Sequence, residues 1–183
     1  QLERLRARVA AAEDDAAAAS RPGLQAKLGA AEAATGLTPV RGPGLRVTFS
    51  DGPEACATGR PEDCRIQDTD LQLVTNTLFG LGAEAVAING ERMIGTTAIR
   101  SAGSSILVNY RVLASPYVVE AVGNPDRLEE GLTASPLAKD FGSWQEAYGL
   151  GFTSEPVEQL TVPAYSGALR AGGDPASAAG SGP

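Results

Sequence analysis

One stretch, residues 68–123, constrains the fold more than any other part of the sequence. It opens with apolar residues three and four positions apart, which predict an amphipathic helix over 68–81 with Asp68 or Asp70 as its N-cap. Gly82 fits the end of that helix, where a residue with positive φ is needed. The spacing then changes to short apolar runs, which predict strands at 85–88, 97–99, 105–108 and 116–122, with a tight turn at Asn89-Gly90.

The flanking sequence extends the same pattern. Residues 45–49 alternate apolar and polar and predict a strand, residues 157–162 predict a last strand, and two short helical pieces lie between 125 and 148. Residues 37–44 are rich in turn formers and 51–66 form a long loop. The predicted fold class is α+β: a mostly antiparallel sheet packed by helices on one face, with a ferredoxin-like arrangement as the best guess.

Three aromatic residues share one face of the second helical piece. Phe141, Trp144 and Tyr148 are spaced three and four residues apart. The simplest interpretation is that they are core residues of a packing helix. A ligand-stacking platform is the alternative.

The two ends of the chain differ in composition from its centre. In residues 1–21, Leu2, Leu5 and Val9 begin an a/d heptad pattern that continues through alanines, which favours a coiled coil over a solvated single helix. The last residues are rich in Gly, Ala, Ser and Pro, which is typical of a flexible tail. The predicted organisation is a helical segment at 1–36, an α+β domain at 37–165 and a tail at 166–183.

Charge and composition narrow the classes of function. The net charge of the 183 residues is −7, which disfavours nucleic acid because phosphate binding needs a basic face. The chain contains no histidine, so histidine-based catalysis and the commonest metal ligand are absent. We therefore predict a non-enzyme with neither metal nor cofactor. A carboxylate-based hydrolase is a lesser alternative, and its only clustered acids are Asp68, Asp70, Glu84 and Glu91.

The only two cysteines, Cys56 and Cys64, lie close together in a polar loop. A local disulfide is the favoured interpretation and two free thiols the alternative, since two thiolates are too few for a metal site. Such a disulfide would stabilise the fold by roughly 2–3 kcal/mol in the loop-entropy account. It would also indicate an oxidising compartment outside the cytoplasm.

A few polar residues interrupt the apolar central stretch. Asn76, Glu84, Asn89 and Arg92 are candidate ligand-binding residues, because arginine suits a carboxylate or phosphate ligand. Pairing of Glu84 with Arg92 across a hairpin is the simpler alternative. Residues 80–85 match a dinucleotide-binding pattern, but there the helix precedes the strand, which is the reverse of the order that pyrophosphate binding requires.

The central stretch resembles the bacterial domain-of-unknown-function 881 family, over most of residues 37–165. The most distinctive block is GAEAVAINGER at 82–92. The other residues that carry the resemblance are Asp70-Leu71, Val74-Thr75-Asn76, Leu78, Thr97-Ala98-Ile99, Ile106-Leu107-Val108-Asn109, Pro116-Tyr117-Val118-Val119 and Ala121-Val122-Gly123-Asn124-Pro125.

This resemblance implies an architecture and a location but no activity. Members of the family typically carry an N-terminal membrane anchor, a coiled-coil segment and an extracytoplasmic α+β domain, mainly in Gram-positive and actinobacterial lineages. We therefore expect a single-pass anchor upstream of Gln1. The expected function is a non-catalytic scaffold that forms homodimers or larger homo-oligomers through its N-terminal helix, with envelope or cell-division proteins as partners. The alternative is an extracytoplasmic small-ligand-binding or sensor domain.

Overall fold

The computed structural model describes residues 35–53 and 60–167, together with positions 23, 25, 27–29, 31 and 32. The heptad pattern of 1–21, Cys56 and nearly all of the predicted tail lie outside the described residues. The elements in chain order are β1 Val40–Ser50, α1 Asp68–Gly80, β2 Ala85–Ile88, β3 Glu91–Arg92, β4 Ile99–Ala102, β5 Ser105–Val108, β6 Arg111–Leu113, β7 Tyr117–Val122, α2 Pro125–Ala134, α3 Pro136–Tyr148 and β8 Gly151–Val162. A 3-10 turn at Pro61–Cys64 precedes α1.

The predicted α+β class with mostly antiparallel strands is confirmed. The larger sheet has the strand order β3-β2-β7-β1-β8, and every pairing in it is antiparallel. Strand β7 lies between β1 and β2, and β1 lies between β7 and β8. The helical connections from β1 to β2 and from β7 to β8 therefore each pass over one intervening strand. A ferredoxin-like arrangement requires this connectivity, here of β1, β2, β7 and β8. The ferredoxin-like assignment itself stays a prediction.

A smaller sheet is inserted between β3 and β7. Strands β4, β5 and β6 form an antiparallel meander whose inner face buries four residues and packs against α1. Those residues are Ile99, Ile106, Val108 and Leu113. The side-chain amide of Gln72 on α1 donates to the backbone carbonyl of Ile99 over 3.1 Å and ties the two elements together. The sequence predicts β5 at its observed position, but its predicted strand at 97–99 overlaps β4 at Ile99 alone, and neither β6 nor the separation into a second sheet is predicted.

The ends of α1 follow local signals closely. The N-cap is Gln67 and neither of the predicted residues, Asp68 or Asp70, and the Gln67 backbone N–H donates to the Asp70 carboxylate over 2.8 Å. Asp68 instead accepts a 2.9 Å hydrogen bond from the backbone N–H of Ser101 on β4. At the other end, Gly82 has a φ of +95°, as the sequence predicts.

All three helices pack on one face of the larger sheet. Leu71, Val74 and Leu78 are the fully buried apolar positions of α1, as the three-and-four spacing predicts. They pack with residues of α2, α3 and the inner sheet face, including Leu128, Leu132, Leu137, Leu45, Val47 and Val119. Phe141 on α3 is fully buried and contacts Phe49 of β1, so its interpretation as a core residue is confirmed. On the opposite sheet face, Arg46 pairs with Glu120 and Glu155.

Candidate functional site

A cavity of about 930 Å³ lies between α1, the loop that joins β3 to β4, and the residues that precede β1. Its volume is in the range of small-molecule sites. The lining residues are Thr35, Gly36, Gln72, Thr75, Asn76, Phe79, Glu84, Arg92 and the run 93–99. Three of the four residues predicted from the sequence, Asn76, Glu84 and Arg92, are therefore brought to one cavity.

Arg92 supplies the buried charge of this cavity. The residue is only 5% exposed, although it belongs to the two-residue strand β3. Its Nη1 donates to the backbone carbonyls of Thr38 and Pro163 over 3.3 and 3.2 Å, while Nε is buried without a hydrogen-bond partner among the described residues. Burial lowers the pKa of the guanidinium. A buried donor without a partner is uncommon in proteins and marks a position where an acceptor would be favourable.

Asn76 and Glu84 reach the cavity from two different elements. Asn76 lies on the exposed side of α1, four residues after Gln72 and three before Phe79, so the three side chains share one face. Glu84 follows the end of α1, and its backbone N–H donates to the carbonyl of Val122 over 2.8 Å. Its side chain is exposed at the cavity rim.

Glu84 and Arg92 do not form the cross-strand pair that is the alternative to ligand binding. Among the described residues, the acid of this hairpin that forms an ion pair is Glu91, and its partner is Arg111. Oε1 of Glu91 lies 3.1 Å from Nε of Arg111. Both members of the predicted pair instead line the cavity separately. Asn109 and Thr97 each donate to the backbone carbonyl of Arg92 over 3.4 Å, which holds the strand in place beneath the cavity.

Asn89 is not brought to the cavity. It occupies the β2–β3 turn with a φ of +47°, followed by Gly90 at +80°, as expected for the Asn-Gly turn. Its side-chain oxygen accepts a 2.6 Å hydrogen bond from the Val118 N–H, and its amide nitrogen donates to the Pro116 carbonyl over 3.3 Å. Asn89 therefore joins the turn to the start of β7.

Sequence reasoning missed the part of the wall formed by residues 93–98. Here Thr97 accepts a 2.9 Å hydrogen bond from the Ile94 N–H, and its own N–H donates to the Ile94 carbonyl. The Gly-Thr-Thr sequence signals a turn but not that the turn closes over α1. Gln72 and Phe79 were also missed, although their positions beside the apolar stripe place them on the same helix face as Asn76.

A second, smaller cavity of about 310 Å³ lies between the start of α1 and the end of α3. It is lined by Asp63, Arg65, Gln67, Asp70, Trp144, Tyr148 and Leu150. Of the three aromatics of α3, Phe141 is in the core, while Trp144 and Tyr148 are half-buried and face this cavity. Burial raises the pKa of Asp70, against the effect of its hydrogen bond from Gln67, and nearby Asp68 raises it further.

The raised pKa of Asp70 predicts a pH dependence of stability. At a pH between the pKa of Asp70 in the unfolded state and its pKa in the folded state, the folded protein binds more protons than the unfolded chain. The stabilisation from Asp70 is therefore complete below the ordinary aspartate pKa of about 3.9. It is lost as the pH rises through the pKa of Asp70 in the folded state. Asn at position 70 does not titrate. Urea unfolding of both proteins across acidic pH should therefore show wild type gaining stability relative to Asp70→Asn as pH falls. A difference that is constant, or that shifts the other way, would contradict this account.

The acids considered for a hydrolase are spread over different contacts. Asp68 accepts a hydrogen bond from the backbone of β4, Asp70 accepts one from the N-cap residue Gln67, and Glu91 pairs with Arg111. Of the four acids, Glu84 alone lines the larger cavity. In the part of the chain that the structure describes, no three Asp, Glu, His or Cys side chains are grouped as metal ligands. The same residues contain no helix of sufficient length and apolarity to cross a bilayer.

Cys64 is buried, with 3% of its surface exposed, at the end of the 3-10 turn. No cysteine among the described residues is a free thiol. Because Cys56 lies outside the described residues, the pairing of Cys56 with Cys64 stays a prediction.

Comparison with known proteins finds one matching bacterial family and several similar proteins. A family described as bacterial protein of unknown function (DUF881) matches residues 27–171. The UPF0749 protein Rv1823 of Mycobacterium tuberculosis H37Rv is 34% identical over 148 residues, which cover 77% of this chain and 48% of that protein. The UPF0749 protein YlxX of Bacillus subtilis is 30% identical over 132 residues, or 71% of this chain and 54% of that protein. The chain thus spans about half the length of these relatives.

A solved structure supports the fold alone. The crystal structure of an uncharacterized conserved protein from Mycobacterium tuberculosis superposes with a TM-score of 0.63 at 23% sequence identity. The alignment covers 79% of this chain and 95% of that one.

Proposed function

This chain belongs to the bacterial DUF881 family of unknown function, and we propose that its α+β domain is a non-catalytic binding module for a small ligand. The proposed site is the larger cavity. The observation that carries the proposal is the position of Arg92, a 5% exposed cation with an unpartnered Nε in the wall of a cavity of about 930 Å³. Asn76 and Glu84 supply further polar groups in the same wall.

The cavity has the composition expected for recognition rather than for catalysis. Apolar side chains from Phe79, Met93, Ile94 and Ile99 alternate with a small number of polar groups, as in ligand sites generally. Only one carboxylate, that of Glu84, is present among the described lining residues, so the pair of acids that a hydrolase of this type needs is not assembled there. Binding without chemistry is therefore the function that these residues support best.

The proposed location is outside the cytoplasm, on an anchor upstream of this chain. Its support is the resemblance of 82–92 to a family whose members typically carry an N-terminal membrane anchor. The buried Cys64 adds support, because its predicted disulfide with Cys56 would require an oxidising compartment. An extracytoplasmic binding module attached to a membrane anchor would act as a sensor domain. Envelope or division proteins are then the proposed partners.

Blocking the cavity tests the proposed site. A small-molecule fragment library is screened against the full chain by ligand-observed NMR, and the hits are titrated against Asn76→Trp and Leu73→Trp. Asn76 lines the cavity, whereas Leu73 is 50% exposed on the same helix and does not line it. We expect Asn76→Trp to weaken the hits by about tenfold or more and Leu73→Trp to leave them unchanged. Equal affinities for both variants would place binding elsewhere.

Self-association through the N-terminal segment is a second candidate function. It rests on the heptad pattern of 1–21 and on Leu28, a helical residue that is 58% exposed. Sedimentation equilibrium of the 1–183 chain beside a 37–183 truncation should give a dimer or larger oligomer that becomes a monomer on truncation. Leu5→Gln, on the heptad seam, should weaken association more than Arg6→Gln, beside the seam. Monomers in every case would remove this candidate.

A further inference from the structure

We propose that the larger cavity binds a ligand with a carboxylate group, which the side edge of the Arg92 guanidinium holds, and with an apolar body, which lies against Phe79 and Ile94. This inference rests on the proposed function, because it names the ligand class of the same site. The shared chemistry covers two sources, a small organic acid and the C-terminus of a peptide.

The hydrogen bonds of Arg92 divide its guanidinium into two edges. Nη1 points to the carbonyls of Thr38 and Pro163, which fix the orientation of the planar group. On the opposite edge, formed by Nε and Nη2, Nε is buried without a hydrogen-bond partner, and the side-chain hydrogen bonds that Arg92 makes to described residues both come from Nη1. Two parallel N–H donors on one edge match the spacing of the two oxygens of a carboxylate. Half of the guanidinium therefore positions the group, and the other half is left for an anion.

The surroundings of Nε locate this edge at the cavity wall. Gly36 and Arg92 both line the cavity, and a Cβ built at Gly36 would lie 3.6 Å from Nε of Arg92 and 2.6 Å from Cγ2 of Ile94. Gly36 also has a φ of +77°, a conformation that glycine adopts without strain. Nε is itself closed to water in this structure, so an anion reaches it only when this edge of Arg92 opens, and a side chain at position 36 would obstruct that opening.

Apolar lining residues define where the rest of the ligand lies. Phe79 is 40% exposed at the rim, and Ile94 is half-buried in the turn that closes the cavity. Met93 and Ile99 are buried deeper in the same wall. A flat or branched apolar body between α1 and this turn would remove the exposed part of Phe79 from water, which favours binding.

Among the described lining residues, Glu84 is the one negative charge that opposes an anion in this cavity. Its side chain is exposed, so water and salt screen it, whereas Arg92 is nearly fully buried and its field is screened much less. The positive charge therefore dominates at depth, and the negative charge acts weakly at the rim. Removal of the Glu84 charge should strengthen carboxylate binding without changing the binding of a neutral ligand.

A comparison of benzoate with benzamide tests the ligand class on the intact 183-residue chain. The two probes share a shape and differ in charge, so titration by isothermal calorimetry or NMR isolates the contribution of the carboxylate. We expect benzoate to bind and benzamide to be weaker by about tenfold or more. Equal affinities for benzoate and benzamide would overturn the carboxylate inference, and so would binding of inorganic phosphate in place of benzoate. Neither result would contradict the proposed cavity site.

Variants assign the effect to Arg92. Arg92→Lys should lose about tenfold in benzoate affinity because lysine lacks the two-donor edge. Arg41→Gln, on the exposed face of β1, removes one positive charge outside the cavity and should change nothing. If Arg92→Lys does not fold, Glu84→Gln decides the question, with benzoate tightening by about two- to threefold and benzamide unchanged. No change in benzoate affinity with Glu84→Gln would overturn the inference.

A second pair of probes separates the two sources of the carboxylate. N-acetyl-alanyl-phenylalanine presents a peptide C-terminus, and its C-terminal amide removes the charge. Preference for the free acid form of this peptide over benzoate would assign the site to peptide C-termini. Preference for benzoate would assign it to small organic acids. If neither benzoate nor the peptide acid binds, the carboxylate proposal is refuted. If other fragments do bind and Asn76→Trp blocks them, the proposed ligand-binding function still stands.

Discussion

Phe141→Ala is expected to lower the free energy of unfolding by about 3–5 kcal/mol. Phe141 is fully buried, and its ring centroid lies 4.9 Å from that of Phe49, 5.0 Å from that of Trp144 and 5.5 Å from that of Phe152. These contacts join α3 to β1 and β8. Truncation leaves a cavity that rigid strands on either side cannot close, and denaturant unfolding measures the loss.

Phe79→Ala is the matched control for this prediction. Phe79 is 40% exposed and lies at the rim of the ligand cavity, so its truncation should change the unfolding free energy by less than about 1 kcal/mol. Comparable losses for the two variants would mean that Phe141 does not hold α3 on the sheet in the way that its packing indicates.

Gly44→Ala is expected to destabilise the protein by about 3 kcal/mol or to prevent folding. A Cβ at this position would overlap the backbone carbonyl of Ala121 on the neighbouring strand β7, and it would press on Leu160 of β8 at 2.9 Å. Because the obstacle is backbone in the middle of the sheet, no rotamer change relieves it. Thermal and urea unfolding measure the effect.

Gly80→Ala provides the control for a glycine replaced without a clash. Gly80 is the last residue of α1, and a Cβ there would meet no atom within 4 Å. Since alanine favours a helix more than glycine does, the variant should equal or slightly exceed the wild type in stability. A neutral Gly44→Ala would show that β1 and β7 are less tightly apposed than the structure has them.

Elements specified by local signals could be predicted from the sequence. The apolar spacing of α1, the positive φ of Gly82 and the Asn89-Gly90 turn each depend on nearby residues, and each is found where expected. The α+β class follows from their order. The N-cap is Gln67 and not the predicted Asp68 or Asp70, because Gln67 and Asp70 share the capping interaction.

Elements that depend on distant partners could not be predicted. Residues 37–44 suggest a connector, since Gly42-Pro43-Gly44 has the composition of a turn. Yet Val40–Ser50 is one strand, with an irregularity between Gly42 and Gly44 that its pairing with β8 accommodates. Likewise β8 begins at Gly151, earlier than predicted, because its first half is stabilised by pairing with β1 rather than by its own sequence.

The candidate site was predicted in part, for similar reasons. Arg92 and Glu84 could be predicted because charged residues are uncommon in an apolar stretch. Asn76 could be predicted because it is a polar residue on a helix whose buried face the apolar spacing defines. Asn89 has the same polar character, but its side chain is hydrogen-bonded to the backbone of Pro116 and Val118 at the start of β7, a distant contact that the sequence does not reveal. Which polar residues share a cavity depends on how the inserted turn at 93–98 folds back onto α1, and that is a long-range property.

The most direct test of the central claim is amide chemical-shift mapping of the full chain titrated with the fragments that bind it, benzoate included. The account predicts saturable shifts concentrated at Gln72, Asn76 and residues 93–98, and their loss in Asn76→Trp. Shifts that are absent from these positions, or that gather around Trp144 and Tyr148 at the smaller cavity, would contradict it.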